Sequence, residues 1–351
     1  MPPCLDPAVP CRPDGTLHAV HAAYITELGS PDVIVYGQLP RPVPGPTDVL
    51  VRVEAVAVNP VDTFVRSGAY RTSTPFPFVL GRDMVGTVVG VGPGATEFTV
   101  GERVWSHSLG HAGRQGVTAE YSVVSADRLY HLPDGVDPAR AVAVLHPVAT
   151  AHLALFRHAR LIQGETLLVV GGAGNVGRAA TALASSAGAR VLAMARAENT
   201  PECLRAGATA VVDYRDPDAI ERLHQLAPDG VDVHLDTSGR QDLAAALAVV
   251  GHGARIVLMA GVTARPVLPV GAVYPRDITI VGFAISNAGV DDLAATATAI
   301  NHGLAADKLQ LPITAELQLS QTAQAHRRLE AGAVRGRIVL RPDRISDLLQ
   351  G

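Results

Sequence analysis

From about His18 to Gly101 the chain is a series of short, valine-rich apolar runs, each closed by Gly, Pro or Asp. Ala19–Ile25, Val49–Val58, Asp83–Val91 and Arg103–Trp105 are predicted strands, continued by Ala119–Val124 and Arg128–His131. Branched side chains suit a pleated, half-buried surface, and strands this closely spaced predict a small barrel-like all-β unit. Near residue 136 the pattern changes. Asp137–Phe156 is alanine-rich with helical spacing, and after it strands and helices alternate. Predicted strands are Thr166–Val170, Arg190–Ala195, Ala210–Val212, Val231–Asp236, Arg255–Met259 and Ile278–Phe283. The helices between them are Gly177–Ala187, Pro201–Ala206, Ile220–Leu226 and Gln241–Val249. Buried valine-rich strands separated by helices predict a parallel sheet covered on both faces. Val290–Leu340 adds one or two helices and a closing strand, Arg337–Leu340. The predicted fold class is α/β: a β-rich domain (17–145 and 288–351) interrupted by a doubly wound domain (146–287), behind a flexible extension (1–16).

With 351 residues, 48% hydrophobic and 18% charged, the chain has ample material for two cores. A net charge of −4 gives no general attraction to nucleic acid or an anionic membrane, so neither is an expected partner. The cysteines are Cys4, Cys11 and Cys203, with no CxxC pair, which argues against a disulfide framework or a cysteine-built zinc lobe. The proline-rich start lacks a signal-peptide pattern, and no apolar run is expected to span a membrane. A cytoplasmic location is the expectation.

The strongest local signal is the run Leu167-Leu-Val-Val-Gly-Gly-Ala-Gly-Asn-Val-Gly177. A predicted strand enters Gly172-x-Gly174-x-x-Gly177, and an alanine-rich helix begins at once. Gly172 is expected to permit the tight turn, Gly174 to admit a pyrophosphate and Gly177 to let the helix pack on the strand. With Asn175 and Val176, the helix start offers free N–H groups to phosphates. The next strand ends in Arg196, where an NAD site usually carries Asp or Glu. A guanidinium there can pair with a 2′-phosphate, which favours NADPH over NADH; the competing reading is a solvated loop arginine beside Glu198. Thr237 and Ser238 follow a strand at the carboxyl edge where nucleotides bind. Met259, Ala260 and Gly261, then Phe283, Ala284 and Ile285, end later strands and are expected to flank the nicotinamide.

The order of motifs resembles the zinc-free quinone oxidoreductase, zeta-crystallin-like branch of the medium-chain dehydrogenase/reductase superfamily. The resemblance runs from about His18 to Leu340. It rests on Val58-Asn-Pro-Val-Asp-Thr-Phe-Val-Arg-Ser-Gly-Ala-Tyr70, on Gly81-Arg-Asp-Met-Val-Gly-Thr-Val-Val-Gly-Val-Gly92, and on Ala119-Glu-Tyr121 and Arg205-Ala-Gly-Ala208. It implies a GroES-like catalytic domain, a Rossmann domain, an active cleft between them and a homodimer. Zinc-dependent relatives carry a Cys near Asn59-Pro60 and Gly-His-Glu where this chain has Gly81-Arg82-Asp83, so no metal is expected here.

The resemblance also implies roles for single residues. Asn59 and Tyr70 match positions near the nicotinamide, and enoyl reductases carry a proton-donating tyrosine at the place of Tyr70. Plainer readings are a turn cap for Asn59 and loop packing for Tyr70. Phe64 stands where relatives often have tyrosine. His146 stands where several have lysine, as a proton source or only a hydrogen-bonded helix residue. Thr150 resembles a nicotinamide-contacting threonine, and Tyr214 a tyrosine that stacks near the adenosine. Phe64, Tyr70, His107 and His111 are candidate substrate-facing residues; the two histidines could in principle share a metal, though exposure or substrate contact is preferred. Arg82 and Asp83 could pair structurally. Three functions stay open: an NADPH:quinone reductase, an enone or enoyl reductase of a biosynthetic pathway, and a non-catalytic NADPH-binding protein.

Overall fold

The computed structural model describes residues 19–343. The expected extension at 1–16, with Cys4 and Cys11, lies outside the described residues. The chain divides into two compact units, one running to His146 and resuming at Asn301, the other Pro147–Ile300. The first unit begins with strands β1 (Ala19–Ile25), β2 (Val35–Pro40) and β3 (Asp48–Val58), helix α1 (Pro60–Ser67), and strands β4 (Phe78–Val79), β5 (Asp83–Val91), β6 (Arg103–Ser106), β7 (Tyr121–Ser125) and β8 (Tyr130–His131). Helix α2 (Pro138–His152) leads into the second unit. There β9 (Thr166–Val170), α3 (Asn175–Ser186), β10 (Arg190–Ala195), α4 (Thr200–Arg205), β11 (Ala210–Asp213), α5 (Ala219–Leu226), β12 (Val231–Asp236), α6 (Leu243–Val249), β13 (Val250–Leu258) and β14 (Thr279–Gly282) follow in turn. Helix α7 (Val290–Ala305) carries the chain back to β15 (Ile313–Gln318), α8 (Thr322–Glu330) and β16 (Arg337–Arg341).

In the first unit the long β3 organises the larger sheet, whose order is β15-β16-β3-β5-β6-β8 with β7 also paired to β3. Val49, Val51 and Val53 of β3 pack with Met84, Val88, Val104 and Leu340 in its core. A three-stranded sheet, β2-β1-β4, completes the β-rich part. Strand β16 runs antiparallel to β3 with Ile338 opposite Val58, a register that brings Arg337 beside Asn59.

The second unit is one six-stranded sheet of order β11-β10-β9-β12-β13-β14, every pairing parallel. This is the doubly wound order in which strand succession reverses at β9, the place where such sheets bind nucleotides. Leu168, Leu192, Val212, Leu223, Leu247 and Ile256 belong to one buried cluster in this unit.

Several elements were not anticipated. Strand β2 contains Gly37 and ends in Pro40, which mask a strand pattern. Helix α1 is only eight residues long, and its Pro60 occupies the first helical position, where a missing N–H costs nothing. The predicted helix over Asp137–Phe156 changes at Leu153 into a π-helical turn reaching His158. Contrary to expectation, Pro138–His158 is long and apolar enough to cross a membrane by length and composition alone, yet most of it is buried as a core helix.

Candidate active site

Strand β9 delivers Gly171 to the carboxyl edge of the parallel sheet, where its N–H and that of Gly172 both donate to the Met194 carbonyl of β10. The tight turn falls on Gly171, with φ +81°, rather than on Gly172 as the sequence suggested. Gly172 is small for a different reason: a Cβ there would lie 2.8 Å from that of Ala193. At Gly177 a Cβ would meet the Gly171 carbonyl oxygen at 2.2 Å, so this position sets how closely α3 packs on the turn. At Gly174 an added Cβ would meet only that oxygen, at 3.2 Å, and otherwise face open space. Gly174 precedes the first residue of α3, so Asn175 and Val176 form the first turn of the helix, the end whose dipole favours an anion. The cradle fits a diphosphate. Thr237 completes it from the β12 side, its hydroxyl donating to the Val170 carbonyl at 2.9 Å.

Beside the cradle, Arg196 directly follows β10 and donates from Nε to the Tyr214 hydroxyl at 2.9 Å, with Glu198 3.7 Å from its other end. Arg215, next in the chain after Tyr214, is committed to Asp213 through a 2.9 Å ion pair. Arg240, not singled out from sequence, brings its guanidinium 6.0 Å from the Tyr214 ring centre. A cleft of 560 Å³ opens here, lined among others by Gly171, Met194, Tyr214, His234, Ser238 and Arg240. Ser238 shapes its rim: its N–H donates to Asp236 at 2.6 Å while its hydroxyl accepts from Arg240 N–H. Farther along the same edge, the Ala260 carbonyl accepts from Gln241, fixing the Met259–Gly261 loop, and Phe283 stacks on His158 with ring centres 4.4 Å apart. Ala284 and Ile285 follow, Ile285 buried.

The first unit holds a second concentration of polar groups, most of them fully buried. Asn59 caps α1, but its side chain turns away from the helix, donating to Asp83 at 2.9 Å and accepting from Arg337 at 2.7 Å. Asp62 closes the cap by accepting from Asn59 N–H at 2.7 Å. Burial pushes the Asp62 carboxyl up to about 6 despite the nearby Arg82 charge. Burial also works against Asp83, but His146 and Arg337 hold that carboxyl below the usual range. His146 pairs with Asp83 at 3.6 Å, and the Arg82 charge acts on Asp62. Tyr70 is partly buried, packed against Ile25, Val65, Phe78 and Leu80, while Phe64 is exposed.

Two candidate substrate residues behave differently from expectation. His107 is 1% exposed, its ring packed against those of Trp105 and Tyr130, which also contact each other, so it is a core residue. Burial pushes it down to about 4, which keeps it neutral. His111 is half-buried, likewise pushed down to about 4. Thr150 stands one helical turn after His146 on α2, buried, its hydroxyl without a hydrogen-bond partner.

Comparison with known proteins agrees with both halves. The alcohol dehydrogenase GroES-like domain family matches residues 45–134, and the zinc-binding dehydrogenase family matches 175–301. Quinone oxidoreductase of Mus musculus is 30% identical over 332 residues, spanning 92% of this chain and 97% of the mouse protein. The chain belongs to the quinone oxidoreductases of the medium-chain dehydrogenase/reductase superfamily. A mycobacterial member solved in complex with NADPH superposes with a TM-score of 0.80 at 30% identity, over 92% of this chain and 100% of that one. An NAD-dependent alcohol dehydrogenase does so at 0.82 and 29% identity, with the same coverage.

A quinone oxidoreductase is a nicotinamide-dependent oxidoreductase, and the cradle after β9 suits that cofactor. The zinc-binding name of the second family raises the question of a metal. Among the described residues no three His, Cys, Asp or Glu side chains gather closely enough to hold a metal ion. Asn59 is engaged by Asp83 and Arg337, and Arg82 offers a cation where a zinc ligand must be a thiolate, imidazole or carboxylate. Gly171, Arg240, Asp83 and Arg337 are the site residues that sequence reasoning missed. Gly171 and Arg240 were within reach, because Gly171 directly follows β9 and Arg240 lies in the short loop after β12, both at the nucleotide edge. Arg337 depended on the β16–β3 register, which no local pattern encodes.

Proposed function

We propose that this protein is a zinc-independent reductase that uses NADPH to reduce a quinone. The observation that carries the reading is the unobstructed glycine turn beside Arg196, Tyr214 and Arg240. Gly172, Gly174, Asn175, Val176 and Gly177 hold the diphosphate, and Arg196 meets the 2′-phosphate with a charge no NADH ribose requires. Thr150, Met259–Gly261 and Phe283–Ile285 receive the nicotinamide end. NADPH, when bound, supplies a hydride, and one proton must accompany it to convert a quinone to a hydroquinone. Tyr70 and His146 are the proton-donor candidates, while Asn59, expected to stand near the nicotinamide, is fully buried with its side chain engaged by Asp83 and Arg337 and acts only through them. A buried guanidinium at Arg337 supplies, through Asn59, fixed positive charge of the kind that stabilises a developing oxyanion.

We further propose a homodimer. Strand β14 is an outer strand of its sheet, and the segment before it exposes Val267 (82%), Tyr274 (73%) and Val270 (59%). Exposed apolar surface next to an open strand edge is a common site of association.

A panel assay tests the reading. Oxidation of NADPH with simple quinones, and not with enones or enoyl thioesters, is the expected result. Turnover only with the unsaturated carbonyl compounds would make it an enone or enoyl reductase. Tight NADPH binding with no acceptor reduced would make it a binding protein.

A further inference from the structure

Asp83 has so far only a structural place, yet its surroundings are unusual. It is fully buried, and although the Asp62 carboxyl is near enough to repel it, the groups that touch its oxygens are donors. Asn59 donates to Oδ2 at 2.9 Å, the Ser108 N–H to Oδ1 at 3.4 Å, and His146 Nδ1 stands 3.6 Å from Oδ1. Ser108 reaches this position with φ +59°, a left-handed conformation that a non-glycine residue avoids unless its surroundings enforce it. A bond from Asn59 to Asp83 and another from Arg337 to Asn59 fix the carboxylate from behind.

His146 is oriented the opposite way. Its Nδ1 is sealed from solvent and has no formed hydrogen bond, although the residue as a whole keeps 9% exposure. Among the described residues, the anion paired with this nitrogen is Asp83. A 3.6 Å gap is longer than a hydrogen bond, and a small ring rotation about a soft torsion closes it. Such contacts commonly tighten when the cofactor and substrate are in place.

We propose that Asp83 is the positioning residue of His146: its carboxylate keeps the proton of the neutral ring on Nδ1 and so presents Nε2 as the atom that passes a proton to the acceptor oxygen. The imidazolium gives up its Nε2 proton as the hydride arrives, and solvent restores it. This rests on the reductase reading above. It differs from a purely structural carboxylate in one respect, because a carboxylate that merely balances Arg337 would matter equally whatever residue stood at 146.

Two measurements on the full chain test it. Nitrogen-15 spectra of the histidine rings, recorded at alkaline pH where imidazole is neutral, are assigned for His146 by the signals lost in His146→Gln. The expected tautomer carries its proton on Nδ1; a proton on Nε2 overturns the proposal. Turnover of a quinone is then compared for Asp83→Asn, His146→Gln and the double variant. Each single change is expected to lower kcat by about 100-fold, the low end of what a positioned proton donor contributes, with KM little changed. The double variant is expected to lose no more than the worse single one. Multiplied losses, or an Asp83→Asn enzyme with native kcat, overturn the proposal. Should Asp83→Asn fail to fold, the tautomer in the native chain decides. A native chain that reduces no acceptor removes the reductase reading itself, and the tautomer spectrum, which needs no turnover, tells that failure from this one.

Discussion

Two glycines three residues apart should respond differently to the same methyl group. In Gly177→Ala the new carbon falls 2.2 Å from the Gly171 carbonyl oxygen and 2.9 Å from Gly172 Cα, both backbone atoms that cannot swing aside. A relaxed contact needs roughly 1 Å more, so the first turn of α3 must move off the cradle; overpacking of this kind costs about 1–3 kcal/mol. Alanine returns about 1 kcal/mol over glycine inside a helix. The net loss is about 0–2 kcal/mol, a fall of up to several degrees in melting temperature. NADPH binding should weaken as well, because the helix start has shifted. In Gly174→Ala the methyl group meets one oxygen at 3.2 Å and otherwise open space, so the fold should melt at nearly its native temperature. That open space is where the diphosphate must approach, and a weakening of tenfold or more, about 1.4 kcal/mol, is expected in calorimetric titration with NADPH. Gly174→Ala that binds NADPH with native affinity would refute the assignment of the cradle.

Other consequences can be measured directly. Arg196→Ala should weaken NADPH far more than NADH in the same titration, and an equal loss for both would remove the 2′-phosphate role. Tyr70→Phe should lower turnover and leave NADPH affinity nearly unchanged; the opposite pattern would make Tyr70 a packing residue. The buried His107 and His234, pushed down to about 4, and His326, pushed down to about 3, sit well below the unfolded histidine value, so the unfolded chain binds more protons between there and about 6.5. Their contribution is complete above about 6.5 and declines as the pH falls, by up to about 1.4 kcal/mol per pH unit for each ring. Asp62, raised to about 6, acts in the opposite direction over much of that range. Urea unfolding should therefore show net destabilisation between neutral and mildly acidic pH, and flat stability there would contradict the burial of these rings. Val267→Asp combined with Tyr274→Asp should reduce the mass in light scattering from dimer to monomer; a native chain that is already monomeric removes the homodimer proposal.

Much of the nucleotide edge was legible because its signals are local. A buried strand, a run of small residues and a helix start occupy eleven consecutive positions, and Arg196 and Tyr214 each lie at or just beyond a strand end. The first unit was harder to read. Strands β2 and β15 carry Gly or polar positions that dilute a strand pattern, and α1 begins with a proline that reads as a loop. His107 read as a substrate-facing or exposed loop histidine because nothing in its neighbours predicts that Trp105 and Tyr130 pack against it. The Asp83 cluster was invisible for a topological reason: Asn59, Asp83, His146 and Arg337 come from four distant stretches that meet only after the sheet has formed.

The pairing of β16 with β3 also bears on how the chain is made. The inserted nucleotide unit is complete once Ile300 has left the ribosome, whereas the unit begun first still lacks a strand of its main sheet until Arg341 emerges. Synthesis therefore finishes the middle of the protein before its beginning. Until β16 arrives, the carboxylates of Asp62 and Asp83 lack the Arg337 guanidinium, so their enclosure waits on a strand that follows the whole nucleotide unit in the chain.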